Sequence, residues 1–246
     1  MKPARQSIRQ SIRQSIRQSV YDLRQPSQPQ RAALAITIAA CVALTWWLLL
    51  GGGVATVGAW CHRLWQTGDP IRRLVLVAAL SIYFVRLLFT QFVFLKRALG
   101  WREAATVGIW VACIYLLLAL AGGTNGQPPA LLFVLGSFFF LLGSWMNTWA
   151  EYTRHLWKQP PENRDRLYTA GLFRICRHPN YLGDLISFSG LALIAGRWIA
   201  GVIPAIMLLG FIFVNIPMLD AHLADRYGAD FAAYARRTRK LFPYLY

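Results

Sequence analysis

Hydrophobic and polar positions in this chain are grouped in long blocks, unlike the short alternation of a soluble domain. The apolar blocks cover residues 32–59, 74–95, 104–122, 129–149, 181–196 and 198–216. Most of them approach the ~20 residues that an apolar α-helix needs to cross a bilayer. We therefore predict an all-α fold, a polytopic integral membrane bundle of about six transmembrane helices.

Two of the six blocks differ from a plain spanning helix. Three consecutive glycines, 51–53, interrupt the first block, and the fifth block, 181–196, is short. Glycine lowers helix stability and permits backbone bends. Each of these two segments is therefore expected to be bent, tilted or re-entrant.

The distribution of lysine and arginine predicts the orientation of the bundle. With the N-terminus in the cytoplasm, the inner segments hold 21 of the 26 basic residues and the outer loops hold four, with Arg86 inside a span. Cytoplasmic loops of membrane proteins carry such an excess. We expect both termini, and the polar clusters described below, on the cytoplasmic side of the membrane.

The chain divides into a basic, low-complexity tail, residues 1–30, and a single transmembrane catalytic domain, residues 31–246. The tail repeats Arg-Gln-Ser-Ile/Val over residues 5–20. This pattern favours a floppy tail, and the alternative is an amphipathic helix on an anionic membrane surface. Within the domain, residues 147–246 hold most of the polar groups described below.

Charge and cysteine content exclude several other classes of protein. The net charge of +16 lies at the ends of apolar blocks and not on one soluble module, so no nucleic acid is expected. The four cysteines have no paired spacing, which predicts neither a disulfide framework nor a metal site. The expected contacts are membrane lipids and a lipophilic substrate from the bilayer, with no obligate protein partner.

The second apolar block contains an arginine at an unusual depth. Arg86 has about ten apolar neighbours on either side and shares a helix face with Tyr83. A charge at that depth is costly unless it faces a polar cavity or a partner. We prefer the cavity over snorkelling or pairing with a backbone carbonyl. A continuous helix would place Arg97 on the same stripe, nearer the cytoplasm.

A second polar group ends the fourth block. Its members are spaced 4, 3 and 4 residues apart, which places them on one helix face: Asn147, Glu151, Arg154 and Lys158. A polar helix end with internal ion pairs has the same pattern. The polar loop that follows, 159–170, adds Arg166.

The densest polar stretch, 171–184, stands at the mouth of the fifth block. It holds Arg177, His178, Asn180, Tyr181 and Asp184. Unsatisfied polar groups at a membrane helix cost several kcal/mol, about 2–7 each. A buried anionic ligand accounts for this density, and the amide and phenol suit a flat heterocycle that carries an amide.

A third polar group follows the last block. Asp220, Tyr227, Phe231 and Tyr234 are spaced to share one helical stripe, and His222 lies beside it. Packing alone produces such an aromatic stripe. The basic run that includes Arg237 has a simple alternative role as a membrane-surface anchor.

These residues resemble the membrane-embedded steroid 5α-reductase superfamily, and especially its bacterial DUF1295 branch. The resemblance covers 147–246, with a weaker echo at Tyr83-Phe-Val-Arg86. It rests on Asn147-x3-Glu151, Lys158, Arg166, Gly171-Leu-Phe, Asn180-Tyr-Leu-Gly-Asp184, Tyr227-x3-Phe231-x2-Tyr234 and the terminal Leu-Phe-Pro-Tyr-Leu-Tyr. In that family the corresponding positions bind NADPH from the cytoplasm, and a tyrosine matching Tyr83 polarises the substrate carbonyl.

The Arg-His-Pro-x-Tyr-x-Gly core also resembles isoprenylcysteine carboxyl methyltransferases, which use S-adenosylmethionine. The phosphates of NADPH call for several cations, whereas zwitterionic S-adenosylmethionine does not. The many arginines, and the Asn-Tyr-x-Gly-Asp pattern from Asn180, therefore favour the reductase. Methyl transfer and a non-catalytic scaffold with a relic site stay open as alternatives.

The resemblance implies NADPH-dependent reduction of an activated carbon–carbon double bond in a steroid-, sterol- or polyprenol-like lipid. Tyr83 is the implied catalytic residue. The implied cofactor ligands are Arg86, Arg97, Asn147, Glu151, Arg154, Lys158, Arg166, Arg177, His178, Asn180, Tyr181, Asp184, Asp220, His222, Tyr227 and Arg237. Steroid-type members also use an early acid, yet this chain has none between Asp22 and Asp69, which puts a 3-oxo-steroid in doubt.

Overall fold

The computed structural model describes residues 27–124, 129–243 and 245, so the basic repeat at 5–20 lies outside the described residues. The described part of the chain is built from α-helices. They are α1 Gln28–Leu50, α2 Gly53–Trp60, α3 Pro70–Phe89, α4 Trp101–Gly123, α5 Ala130–Trp157, α6 Pro179–Ala195, α7 Val202–Gly210 and α8 Ile216–Arg237. Single π-helical turns extend α3 over Thr90–Phe94 and join α7 to α8 over Phe211–Asn215.

Among the described residues, five helical segments are long and apolar enough to cross a membrane, which confirms the predicted helical bundle. They are Gln28–Leu50, Pro70–Phe94, Trp101–Gly123, Ala130–Trp157 and Trp198–Arg237. The predicted fifth span lies in α6, which has only 17 residues. At 1.5 Å per residue it is about 26 Å long, shorter than the ~30 Å hydrocarbon core.

The predicted interruption within the first block, 32–59, is present. α1 ends at Leu50, Gly52 adopts a left-handed conformation with φ of 80°, and α2 begins at Gly53. Only glycine adopts this conformation at little cost, so the glycines separate two helices where the apolar pattern is continuous.

The α5–α6 pair is the closest helix contact and sets the site's position. Glycines spaced seven residues apart face each other across an antiparallel contact, Gly136 opposite Gly190 and Gly143 opposite Gly183. A Cβ on Gly136 would lie 2.8 Å from the Gly190 oxygen and from the Ile194 nitrogen. The two backbones therefore touch, as small residues allow in membrane bundles.

The C-terminal segment folds back onto the loop before α6. The Arg177 nitrogen donates to the Arg239 oxygen at 2.8 Å, and the His178 nitrogen donates to the Lys240 oxygen at 3.1 Å. Leu241 is fully buried beside Cys176. These contacts bring the end of the chain to the entrance of α6.

Candidate functional site

The deepest polar contact joins α3 to α6. Arg86 Nη2 donates to Asp184 Oδ1 at 2.6 Å, and the Arg86 side chain is only 7% exposed. Its guanidinium also lies 4.9 Å from the centre of the Tyr83 ring. The deep arginine therefore pairs with a carboxylate, 98 positions away in the sequence.

Tyr83, the predicted catalytic residue, is held in an aromatic cage. Its ring meets Phe188 edge to face at 5.0 Å and Tyr115 at 6.3 Å. The Tyr115 hydroxyl donates to the Leu80 oxygen at 2.8 Å, which fixes that ring. Such rings position Tyr83 with little freedom to change rotamer.

A chain of hydrogen-bonded amide and carboxylate groups lies one helical turn from Asp184. It is formed near the C-terminus of α5 and the N-terminus of α6. Asn147 donates through Nδ2 to the Asn180 oxygen at 3.0 Å, and Asn180 Nδ2 donates to Glu151 Oε1 at 3.0 Å. Arg154 donates to the other Glu151 oxygen, Oε2. Asn147 and Glu151 are buried, so the 4-and-3 spacing does produce one inward polar face, and it continues onto α6.

Asp220 on α8 joins the last helix to the same region. Its carboxylate accepts from Arg177 at 3.1 Å and lies 3.0 Å from His178 Nε2. His178 stacks on Tyr181, with ring centres 5.4 Å apart, and Tyr181 stacks on Phe211 at 4.6 Å. The dense stretch 171–184 therefore meets α3, α5 and α8 on one side of the bundle.

Lys158, a predicted phosphate ligand, holds the loop that follows α5. Its ammonium donates to the backbone oxygens of Asn163, Arg164 and Arg166, and to the Tyr227 hydroxyl at 3.3 Å. Burial, and then the Arg226 guanidinium, lower the pKa of Lys158. The geometry makes Lys158 an organiser of the loop.

Lys158→Met is therefore expected to open the loop 159–170 to proteolysis. Hydrogen bonds from a charged group contribute about 1.5–3 kcal/mol each, and the partners here are partly hydrated. We expect tryptic cleavage after Arg164 and Arg166 to quicken about tenfold, measured by mass spectrometry of the products. Lys96→Met, at an exposed lysine, is the matched control, and equal rates in both variants would contradict the organising role.

The predicted position of Arg97 is wrong. The helix that carries Arg86 ends with the π turn at Phe94, so Arg97 cannot lie on the same stripe. Arg97 donates to both carboxylate oxygens of Glu103, at 2.7 Å for Oε2, and its backbone oxygen accepts from Arg31 at 2.7 Å. The apolar periodicity continues to the end of the block and gives no sign of this break.

The single stripe predicted on α8 is also interrupted. Gly228 has φ of 49° and ψ of −117°, which kinks the helix between Tyr227 and Phe231. Beyond the kink, the Phe231 ring lies 5.7 Å from the Arg177 guanidinium, and the Tyr234 hydroxyl donates to the Phe173 oxygen at 2.6 Å.

The remaining predicted ligands lie at the surface of this region. Arg166 and Arg237 are exposed, and neither forms an ion pair within the described residues, while His222 is partly buried.

Cys176 is buried, which raises the pKa of its thiol to about 11, so it is protonated at neutral pH. Within the described ranges, no group of three or more His, Cys, Asp or Glu is arranged to hold a metal ion.

Several contacting residues have no counterpart in the sequence prediction. Tyr115 and Phe188 cage Tyr83, and Phe211 completes the ring stack. Each lies within an apolar run, where one aromatic residue looks like another. The glycine pairs of α5 and α6 do carry a signal, since both helices repeat glycine at a spacing of seven.

A cleft opens beside the polar cluster, between α3 and α5. Its volume is about 400 Å³ and its lining is mostly apolar. The lining residues are Ser81, Ile82, Val85, Arg86, Phe89 and Thr148. Arg86 therefore belongs to both the cleft and the Asp184 ion pair.

Known proteins are similar to part of the chain. "Probable O-methyltransferase ustE" of Ustilaginoidea virens is 36% identical over 108 residues, which are 43% of this chain and 37% of the relative. "3-oxo-5-alpha-steroid 4-dehydrogenase 2" of Homo sapiens is 27% identical over 132 residues, 54% and 50% of the two chains. "Protein-S-isoprenylcysteine O-methyltransferase B" of Arabidopsis thaliana is 30% identical over 91 residues, 37% and 46%.

The matched regions cover half or less of each relative's length, and both resemblances expected from the sequence are present. The names of the relatives give two reaction classes, O-methyl transfer and steroid dehydrogenation. A family model described as "Protein of unknown function (DUF1295)" matches residues 104–238, more than half of the chain. The chain therefore belongs to the DUF1295 family.

Proposed function

We propose that the protein is an NADPH-dependent reductase of an activated carbon–carbon double bond in a lipophilic substrate. One observation carries the proposal: Arg86 joins the buried polar cluster, through Asp184, to the lipid-facing cleft. A reductase of membrane lipids needs a polar cofactor and an apolar substrate to meet at such a junction. The similarity to a steroid 4-dehydrogenase supports the same reaction class.

The polar cluster fits the nicotinamide half of the cofactor. A carboxamide needs one acceptor and one donor, and the Asn147–Asn180–Glu151 chain offers both types of group. Asp184 and Tyr181 lie on the same helix and border the same space. Arg177 Nε is buried and lacks a hydrogen-bond partner among the described residues, which leaves a donor for the cofactor.

The phosphates would be held nearer the surface. Exposed Arg166 and Arg237 are the most available of the five cations predicted for this role. Arg97, Lys158 and Arg177 are engaged with Glu103, the 159–170 loop and Asp220. Of these three, Arg177 lies beside the polar cluster. A phosphate bound there would share the Arg177 guanidinium with Asp220.

When bound, NADPH supplies the hydride that reduces the double bond and is itself oxidised to NADP⁺. The hydride adds to one carbon of the double bond, and the other carbon needs a proton. Tyr83 donates this proton, either to that carbon directly or to the substrate oxygen, which forms an enol first. Its aromatic cage excludes water and fixes its position. No acid stands between Asp22 and Asp69, so Tyr83 and Arg86 are the groups that stabilise negative charge on the substrate oxygen.

The stretch that carries the polar cluster has an excess of positive charge, which favours NADPH over S-adenosylmethionine. Residues 150–180 hold six Lys and Arg against three Asp and Glu. A zwitterionic sulfonium gains little from such a field, whereas a diphosphate gains much. In the proposed orientation both termini and the site face the cytoplasm, where NADPH is available. The positive-inside bias supports this orientation.

Binding of the two cofactors tests the proposal directly. In purified protein in detergent, NADPH at about 100 times its Kd is expected to add about 2.7 kcal/mol of stability, read as a rise in Tm. Asn180→Ala is expected to remove most of this rise because it breaks the bond to Glu151. Asn215→Ala, outside the cluster, is the matched control and is expected to keep it.

S-adenosylmethionine at the same concentration is expected to leave Tm unchanged. A rise with S-adenosylmethionine alone would replace reduction by methyl transfer, the activity in the names of two relatives. A rise with neither cofactor would support a non-catalytic role.

A further inference from the structure

Two surface stretches of the chain meet beside the entrance of α6. Cys176 and Arg239 form a parallel bridge, in which the Arg177 nitrogen donates to the Arg239 oxygen at 2.8 Å. The Tyr234 hydroxyl donates to the Phe173 oxygen at 2.6 Å and ties the end of α8 to the same place. We call five exposed side chains of these two stretches the basic rim, and they are Arg174, Ile175, Arg236, Arg239 and Leu245.

The charge of the basic rim is of one sign. Residues 171–183 and 231–246 hold six Lys and Arg and no Asp or Glu. The side chains of Arg174, Arg236 and Arg239 are exposed, and among the described residues none of them donates a hydrogen bond or forms an ion pair. Three guanidinium groups are therefore available to a partner that carries several negative charges.

Two large apolar side chains accompany these arginines. Ile175 is 53% exposed and Leu245 is 83% exposed. Water solvates such groups poorly, whereas the boundary between lipid headgroups and acyl chains accommodates an apolar side chain beside a cation. A lipid surface offers both environments at once, while a free phosphate or a nucleic acid backbone offers only charge. The composition of the rim therefore favours anionic lipid.

The position of the basic rim along the bundle agrees with a lipid partner. α6 begins at Pro179, is about 26 Å long and packs antiparallel on the spanning helix α5. A helix of that length nearly fills the ~30 Å hydrocarbon core, so its first residue lies close to one boundary. Residues 174–178 directly precede this helix, and the bridge holds Arg239 at the same level. The rim therefore lies at the depth of the phospholipid headgroups.

We propose that the basic rim binds anionic phospholipid headgroups of the surrounding membrane. Its three arginines contact the lipid phosphates, and Ile175 and Leu245 insert between the first carbons of the acyl chains. The proposal does not depend on the proposed reduction, because the arginines assigned to the phosphates of NADPH are not members of the rim.

Photo-crosslinking in nanodiscs of phosphatidylcholine tests the basic rim. Two trace probes are compared, a phosphatidylglycerol and a phosphatidylcholine, each with a diazirine near the glycerol end of one acyl chain. Mass spectrometry of the peptides reports labelling within 171–178 and 236–245. One arginine close to an anionic surface contributes about a fivefold preference. With three arginines, we expect the phosphatidylglycerol probe to label these peptides at least about tenfold more than the phosphatidylcholine probe.

Two double variants separate the basic rim from the overall charge of the protein. Arg174→Gln/Arg239→Gln removes two charges of the rim and is expected to reduce phosphatidylglycerol labelling at least about tenfold. Arg164→Gln/Arg226→Gln is the matched control, because it makes the same change in net charge at two exposed arginines outside the rim, and it is expected to keep the labelling. Both variants change exposed side chains, so their Tm in detergent is expected to match that of the parent.

Equal labelling by the two probes would overturn the proposal, and so would an equal loss of labelling in the two double variants. An excess of NADPH is expected to leave the labelling unchanged. Loss of labelling on addition of NADPH would also overturn the proposal, since the arginines would then belong to the cofactor site. Selective labelling by phosphatidylglycerol in a protein that binds no NADPH would keep the rim and remove the reduction.

Discussion

Replacing Asp184 with leucine is expected to destabilise the bundle by about 3–5 kcal/mol, because it leaves the buried Arg86 charge without its partner. The Arg86 side chain is 7% exposed, and its bond to Asp184 is 2.6 Å long. Surrounding helices offer no water to replace the carboxylate, since the arginine lies within an apolar block. The measurement is reversible unfolding of the purified protein in mixed micelles.

The double variant Arg86→Met/Asp184→Leu separates the pair's contribution from the cost of breaking it. Two apolar side chains of similar volume remove both charges, so most of the lost stability is expected to return. Arg226→Met and Asp165→Leu provide the control, since those residues form an exposed pair at 3.1 Å. Exposed pairs contribute little. An Asp184→Leu variant as stable as Asp165→Leu would contradict the structural role of the ion pair.

The double variant also tests function independently of stability. If Arg86 and Asp184 serve only the fold, a refolded apolar pair should retain NADPH binding. We expect that binding to be lost, because Asp184 lies one helical turn from Asn180 and Arg86 lines the cleft. A stable double variant with unchanged NADPH binding would remove these residues from the site.

The helical bundle was predictable because the bilayer imposes one length on every spanning element. Apolar blocks near 20 residues produced the five spanning helices, and a run of glycines produced the break at Gly52. The short block at 181–196 was equally informative, since it corresponds to the 17-residue α6. In each case a local property of the sequence decides the local structure.

The partners of the charged residues were less predictable. Helical spacing indicates which residues share a face, as for Asn147 and Glu151, but it does not indicate what that face meets. Arg86 and Asp184 lie 98 positions apart, and the packing of α6 against α3 brings them together. The errors at Arg97 and Gly228 have different causes. The helix end at Phe94 lies inside an apolar block that gives no sign of it, whereas the kink in α8 lies at a glycine that adopts a positive φ.

The glycine repeat connects the predictable helices with the less predictable polar contacts. Gly136 and Gly143 on α5 face Gly190 and Gly183 on α6, so the sequence itself marks the contact surface of both helices. Antiparallel packing in this register brings Asn147 within hydrogen-bond distance of the Asn180 oxygen. The polar cluster therefore depends on residues that have no side chain.

Gly143→Ala tests this dependence and is expected to cost about 3 kcal/mol, at the upper end of overpacking in a well-packed core. The added Cβ would lie closer than 3.0 Å to the backbone oxygen of Gly183 and the backbone nitrogen of Ser187. Backbone atoms of a packed helix cannot rotate away as a side chain can, so α5 and α6 must separate. We also expect weaker NADPH binding, since separation lengthens the Asn147–Asn180 hydrogen bond.

Gly108→Ala is the matched control for that substitution, because it makes the same change inside another spanning helix. Its Cβ would meet only side-chain atoms of Leu34 and Thr37, each at 3.6 Å, which is ordinary contact. Alanine also favours the helix over glycine by up to about 1 kcal/mol, so this variant is expected to be as stable as the parent or more so. Equal losses in the two variants would show that glycine's flexibility, and not the close approach of α5 to α6, is what the fold requires.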